Sequence, residues 1–458
     1  MLNKQIYFMQ KLRKTKKAII AASFALIVII ILSTLLFVQS DSKSSVTTSA
    51  FIGVSYGGNS VSEGKQLIDK VKGYTNLFVL QSGSLQRDFN SVNELGDYAV
   101  SSGMYFLPYF GAYIESTFSV WLDSAKQRWG DHLLGIYYSD ELGGKMLDDY
   151  TEFTDPSGDT ITKTRYSDIE VKKESGEIVH YEINGNINVL QPGVNGQEDV
   201  YLTYFPNGTI NGKDSLMGAA STYQQLMTER PFQDFNETAA RFLSKNQKEL
   251  NFLKNSTTVF SSDYALYWYD YQAGYDVMFA QLGWNISLNQ QIAFCRGAAS
   301  AQGKDWGAVI TWKYNQPPYL DSGQEIYNQL KTSYECGAKY FVLFNYYEER
   351  NSNPFGTLKD EHFEALERFW NNVVNNPSVT HGSVKADSVF VLPKNFGGGL
   401  RWREDIVWGV FKADEVSGKL WDLSQSALAS YGYNLDVVYD ETDYPLSAQY
   451  KTVIKLQQ

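Results

Sequence analysis

Four short β-rich runs recur at a nearly constant interval in this 458-residue chain, and that interval limits the fold more than any other feature. They begin near Phe51 (FIGVSYGG), Asn76 (NLFVLQSG), Met104 (MYFLPYFG) and Leu133 (LLGIYY), so successive starts lie 25, 28 and 29 residues apart. That spacing is one βα unit. Helix-start chemistry stands between the runs: Ser60 with Glu63, and Ser91 with Glu94, each form an S-x-x-E box ahead of an apolar-periodic stretch. The pattern resumes with TTVFSSDY from Thr257, DVMFAQLGWN from Asp276, WGAVITWKYN from Trp306 and KYFVLFNYYEE from Lys339. Eight such runs alternating with helices predict an α/β chain, a (β/α)8 TIM barrel over residues 50–376. The rival, an open doubly wound sheet, lacks its signal, because no G-x-G-x-x-G turn follows the first run.

The alternation breaks after the fourth run. Residues 145–218 read as a β-rich insertion, with hairpin turns at Ser175-Gly176 and Asn207-Gly208. It sits on a βα loop, the side of a barrel on which function is built. A helical stretch, Thr222 to Lys254, completes the fourth unit. Beyond Pro377 the runs SVFVLP, LDVVYDE and KTVIKL, with a helix at LWDLSQSALASYG, predict a small C-terminal α/β domain over 385–458 with parallel strands.

Ala18 to Val38 is a stretch of 21 residues without a charge, preceded by Lys11, Arg13, Lys14, Lys16 and Lys17. It is long enough to cross a bilayer as a helix, and the basic cluster holds residues 1–17 in the cytoplasm. The expectation is an uncleaved single-pass anchor at 18–38, a solvated linker at 39–49, and the barrel on the extracellular side of the cell membrane. A cleaved signal peptide is the competing reading, but its apolar region is shorter, about 7–15 residues. Four N-x-[ST] sequons, at Asn207, Asn236, Asn255 and Asn285, fall on the external side and fit a glycoprotein.

A net charge of −11 leaves no basic stripe for phosphates, so nucleic acid is not an expected partner. Cys295 and Cys336 are the only cysteines and read as buried free thiols. His132, His180, His362 and His381 are too scattered to ligate a metal. No G-x-S-x-G elbow, C-x-x-C pair or P-loop is present. Neither a metal nor another cofactor is called for.

In a barrel the C-terminal strand ends share one mouth. Those ends supply Tyr56, Gln81, Tyr109, Asp140 and Glu141, Asp263, Gln281 with Trp284 and Asn285, Trp312 with Lys313, and Asn345 and Tyr346 with Glu348. Paired carboxylates are what glycosidic bond cleavage needs: one acid protonates the leaving oxygen, and a second carboxylate attacks or activates water. Trp and Tyr rings, Trp268 after strand five among them, stack on the apolar faces of sugars, and Asn, Gln and Lys bind their polar groups. The expected partner is therefore a carbohydrate. Each acid also has a plainer reading. Asp140 and Glu141 precede a Gly pair as loop acids do, Asp263 suits a helix cap, Glu348 and Glu349 could pair with Arg350, and Trp268, Trp284 and Trp312 could be core.

The segments GIYYSDELGG, SSDYALYWYDY and GAVITWKYNQPPY resemble the barrel-type glycoside hydrolase superfamily, particularly its membrane-anchored archaeal members. The tail ALASYGYNLDVVYDETDYPLSAQYKTVIKL resembles the amidotransferase-like α/β domain that follows the barrel in some β-galactosidase-type enzymes. The resemblance implies a general acid at the end of strand four, here Glu141, or Asp140 if the register differs by one. It also implies a nucleophile at the end of strand seven, where this chain has Thr311, Trp312 and Lys313. The second carboxylate then falls to Asp263 on strand five or Glu348 on strand eight. The alternative function is a non-catalytic carbohydrate-binding or cell-envelope surface protein on the same barrel.

Overall fold

Alternation of side chains along parallel strands sets the architecture. The computed structural model describes residues 50–457 other than 112–117, 149–150, 284–286, 312, 314–318 and 347–352 and, within and after the insertion, five loops between 155 and 209 and the stretch 213–233. Strands β1 (Phe51–Tyr56), β2 (Leu77–Leu80), β3 (Tyr105–Phe110), β4 (Ile136–Tyr138), β5 (Val259–Asp263), β6 (Val277–Leu282), β7 (Asp305–Ile310) and β8 (Tyr340–Leu343) pair in parallel around a closed ring. Phe51 lies opposite Tyr340, which closes β1 on β8. Every second residue points inward. Leu77, Val79, Leu107, Phe260, Phe279, Val309 and Val342 fill the interior. Their neighbours Ile52, Val54, Phe78, Met278, Ala308 and Phe341 face the helix layer. The expected eight-stranded barrel is therefore present.

The two serine boxes behave differently. Helix Val61–Val71 begins at Ser60, whose hydroxyl accepts the Glu63 N–H, as expected. The Ser91 box, in contrast, does not start the next helix. Helix Phe89–Ser101 is capped by Asp88, whose carboxylate accepts the N–H groups of Asn90 and Ser91 and the Ser91 hydroxyl. A charged acceptor that reaches two amides at the positive helix end outcompetes a serine three residues later.

The insertion forms a seven-stranded antiparallel sheet, from Thr151–Thr154 to Ile210–Gly212, in simple meander order. The turn around Gly176 joins Ile169–Lys172 to Ile178–Tyr181 as expected; the turn at Asn207-Gly208 lies outside the described residues. Of the helical stretch expected from Thr222 to Lys254, the described residues form helix Phe235–Leu250, capped by Asp234, and a turn after it. The basic segment, the span 18–38 and the linker also lie outside the described residues. Among the described residues no helix is long and apolar enough to cross a membrane. Cys295 and Cys336 are buried free thiols.

The C-terminal strands β9 (Ser388–Leu392), β10 (Leu435–Tyr439) and β11 (Thr452–Lys455) form a parallel sheet in the order β10-β9-β11. The barrel helix Leu288–Ala301 covers this sheet as well as β6. Its Gly297 lies so close to β10 that a Cβ would stand 2.3 Å from the Val437 carbonyl oxygen. Beside it Arg296 donates to Asp436 Oδ1 at 2.7 Å and to the carbonyls of Tyr433 and Leu435 at 2.7 and 3.0 Å. Both charged side chains are buried. Asp436→Ala leaves that guanidinium without a counter-charge and should lower the unfolding free energy by about 3 kcal/mol. The check is a fall in the denaturant midpoint.

Candidate active site

Parity decides which strand-end residues reach the mouth. Gln81, Tyr109, Ser262 and Gln281 continue the inward series of their strands. Tyr56 belongs to the outward series, which corrects the expectation that it lines the site: it is buried and its hydroxyl donates to the Ser60 carbonyl at 2.7 Å. Trp268 is a second correction. It is 2% exposed, donates to Glu441 at 3.2 Å and packs against Tyr439 and Tyr444 of the C-terminal region. Asn345 is fully buried, with its Oδ1 accepting the Thr357 N–H at 3.2 Å, and the Tyr346 N–H donates to the Thr357 hydroxyl. Trp284, Asn285, Trp312 and Glu348 lie outside the described residues.

Asp140 and Glu141 follow β4 and meet the neighbouring strands through one hydrogen-bond network. The Tyr137 hydroxyl and the Ser262 hydroxyl donate to Asp140 Oδ1 at 2.8 and 2.7 Å. Gln281 Nε2 donates to Glu141 Oε1 at 2.7 Å and to Ser262 Oγ at 2.9 Å. Gln81 Nε2 reaches the Tyr137 hydroxyl at 3.5 Å. Ser262 and Gln281 thus bridge the two carboxyls. Adjacent residues on a regular strand would point to opposite faces. Here Ser139 and Glu141 both take left-handed backbone (φ 57°), which breaks the alternation on either side of Asp140. Such a conformation costs an L-residue about 1–2 kcal/mol, a strain typical of functional turns. The ring of Tyr109 stands edge-on to Tyr137 at 5.4 Å.

Asp263 has a different job. It ends β5 on the outward face, is fully buried, and accepts N–H groups from Gly143, Gly144, Tyr264 and Ala265 at 2.6, 2.8, 2.7 and 3.1 Å. Its oxygens are occupied by the backbone, so the structure places Asp263, expected as a second catalytic carboxylate, in the loop framework behind the acid pair. The Gly pair now has its reason: a Cβ on Gly143 would lie 2.5 Å from the Ala265 carbonyl oxygen, and one on Gly144 would lie 2.2 Å from the Tyr264 ring. Behind Asp263 stands Asp270, fully buried, neither of its oxygens having a hydrogen-bond donor. Burial and the neighbouring Asp263 charge push its carboxyl well above the usual range, which favours its neutral form.

Burial, then the Asp140 charge, pushes the Glu141 carboxyl up to about 7, against the opposing pull of the Gln281 hydrogen bond and Lys145. Burial also raises Asp140, while Lys145, Ser262 and Tyr137 favour its charged form. Lys145 lies 3.9 Å from Glu141 Oε2 and donates to the Asp140 carbonyl at 2.9 Å. The pair therefore carries a proton near neutrality, with the glutamic acid as its natural holder. Lys313 forms an ion pair with Asp321, which also accepts from Gln329 at 2.7 Å. Among the described residues no group of three or more His, Cys, Asp or Glu side chains could hold a metal ion.

Sequence reading missed Tyr137, Ser262, Lys145 and Asp321. Ser262 was open to detection, since it lies two residues beyond the interior Phe260 on its own strand. Asp321 arrives from the loop before helix Gly323–Glu335, and no local pattern signals it.

No protein-family model matches the chain, and no curated protein matches it. The chain is similar in structure to a GH5_18 protein of Streptomyces cattleya crystallised with GlcNAc, at 8% identity and a TM-score of 0.46, covering 89% of this chain and 98% of that one. It is also similar to a mutant O-GlcNAc hydrolase of Thermobaculum terrenum (8% identity, TM-score 0.29, 71% of this chain and 58% of that one). A third is the pneumococcal virulence factor StrH (10%, 0.33, 72% and 85%). With every TM-score below 0.5, the roles of Asp140 and Glu141 rest on this chain's own geometry.

Two outcomes follow from the site. Asp263→Asn turns one acceptor oxygen into a donor facing amide donors, so it should cost about 2 kcal/mol or more of stability and speed hydrogen exchange at Gly143 and Gly144. Folded Glu141 holds its proton up to about 7 against an ordinary 4.5. The folded chain then binds more protons than the unfolded one in that interval, and this group's contribution to stability falls as pH rises through it. Glu141→Gln should flatten that decline, as read from unfolding midpoints between about pH 4.5 and 7.

Proposed function

We propose that this chain cleaves glycosidic bonds at the barrel mouth, with Glu141 as the general acid. The observation that carries the reading is the bridged Asp140–Glu141 pair, in which one carboxyl retains its proton near neutrality while the other accepts two hydroxyl hydrogen bonds. A protonated Glu141 can deliver its proton to the leaving oxygen at working pH. Asp140, fixed by Tyr137 and Ser262, has Oδ2 to accept a sugar hydroxyl or amide and to stabilise positive charge developing at the anomeric carbon. Asp263 and Asp321 are engaged elsewhere, so attack comes from water, from a group of the substrate itself, or from a carboxylate outside the described residues such as Glu348. The uncharged stretch Ala18–Val38 supports a membrane tether, with the barrel outside the cell where glycans are at hand.

Lys313 favours a second reading, carbohydrate binding without turnover. A cation paired with Asp321 occupies the strand-seven end, where the resembling hydrolases place a nucleophile.

Assay of the full chain on a glycan panel and on matched dinitrophenyl glycosides separates the two. Glu141→Gln should lower kcat by about 10²- to 10⁴-fold on unactivated glycosides and far less on dinitrophenyl glycosides, whose leaving group needs no proton. An equal loss on both substrates, or none, removes Glu141 from the acid role. Oligosaccharide binding with no product from the wild-type chain supports the binding reading.

A further inference from the structure

We infer that Trp402 is a second carbohydrate contact, a stacking platform for a sugar unit further along the chain than the one Glu141 serves. This deepens the glycoside reading by making the ligand an oligosaccharide.

Trp402 is 49% exposed, the one tryptophan among the described residues that leaves the core to this extent. An indole in water forgoes burial that would otherwise stabilise the fold, and this one is held in place rather than on a loose loop. The Arg401 guanidinium lies 4.4 Å from the centre of its ring, covering one face. The Arg401 side chain is itself 4% exposed, clamped by Asp405 at 2.7 and 3.0 Å and by Asp148. The preceding residues are fixed too: the Leu400 carbonyl accepts Gln290 Nε2 at 2.8 Å, and Gly399 abuts Leu147.

These anchors lead back to the acid pair. Asp148 ends the helix Leu142–Asp148 that starts directly after Glu141, and it accepts the hydroxyl of Tyr264, the residue following Asp263. Seven residues of helix span about 10 Å, so Asp148, which holds Arg401 beside Trp402, stands further than one sugar ring from the turn that carries Glu141. Sugar rings offer flat C–H faces to such an indole, and the polar edges provided by Arg401 and Asp405 are already satisfied internally. What is left for a ligand is the exposed part of the indole.

The test is titration of full-length Glu141→Gln protein with cello-, manno-, galacto- and N-acetylchito-tetrasaccharides and hexasaccharides. Trp402→Ala in that background should weaken oligosaccharide binding about tenfold, and Trp402→Phe, which keeps a stacking ring, should retain most of it. Unchanged affinity in Trp402→Ala overturns the platform, as does the absence of binding by the parent to every oligosaccharide. Cleavage of monosaccharide dinitrophenyl glycosides by the otherwise wild-type chain carrying Trp402→Ala is the separate readout. Retained cleavage with lost oligosaccharide affinity supports the platform, whereas absent cleavage in the wild type itself fails the catalytic reading and leaves the binding result to decide the platform.

Discussion

The Asp263 carboxylate is the interaction on which the rest of the site depends. It gathers the backbone amides of two consecutive βα loops onto one buried group, so the turn that carries Asp140 and Glu141 cannot move independently of β5. The Glu141 N–H extends the same join by donating to the Ser262 carbonyl at 2.9 Å. Strain at Ser139 and Glu141 is sustained because these contacts over-determine the turn. An acid placed at the end of a strand is thus a precise object only because a second acid, hidden one layer out, holds the loop.

The two aspartates and the glutamate illustrate how one residue type acquires different chemistry from its surroundings. Asp263 is satisfied by amides, Asp270 is pushed by burial toward its neutral form, and Glu141 shares a network in which a proton is retained. Their charges are coupled, since each raises the cost of ionising the next. Acidity at the mouth is therefore a property of the group as a whole.

The barrel itself was legible because its period is written locally: each strand start follows the last by one βα unit. The acid pair at the end of β4 was legible for the same reason, being a strand end with two charges. What sequence could not supply was which side of the strand each residue takes. Tyr56 and Asp263 fall on the outward side of a two-residue alternation, and Trp268 is the second residue of a helix, packed against Tyr439 and Tyr444. Contacts such as Lys313 with Asp321, or Asp148 with Arg401, join segments whose meeting is decided by the closed ring and its appended sheet.

Helix Leu288–Ala301 has a consequence for how the molecule is made. It packs against β6 on one side and β10 on the other, and residues Gln290 to Ala299 along it are buried throughout. A ribosome delivers β10 well over a hundred residues later. Until then a nascent barrel displays an apolar strip and an unneutralised Arg296 along this helix, a surface that chaperones can recognise and that the last strands to emerge cover.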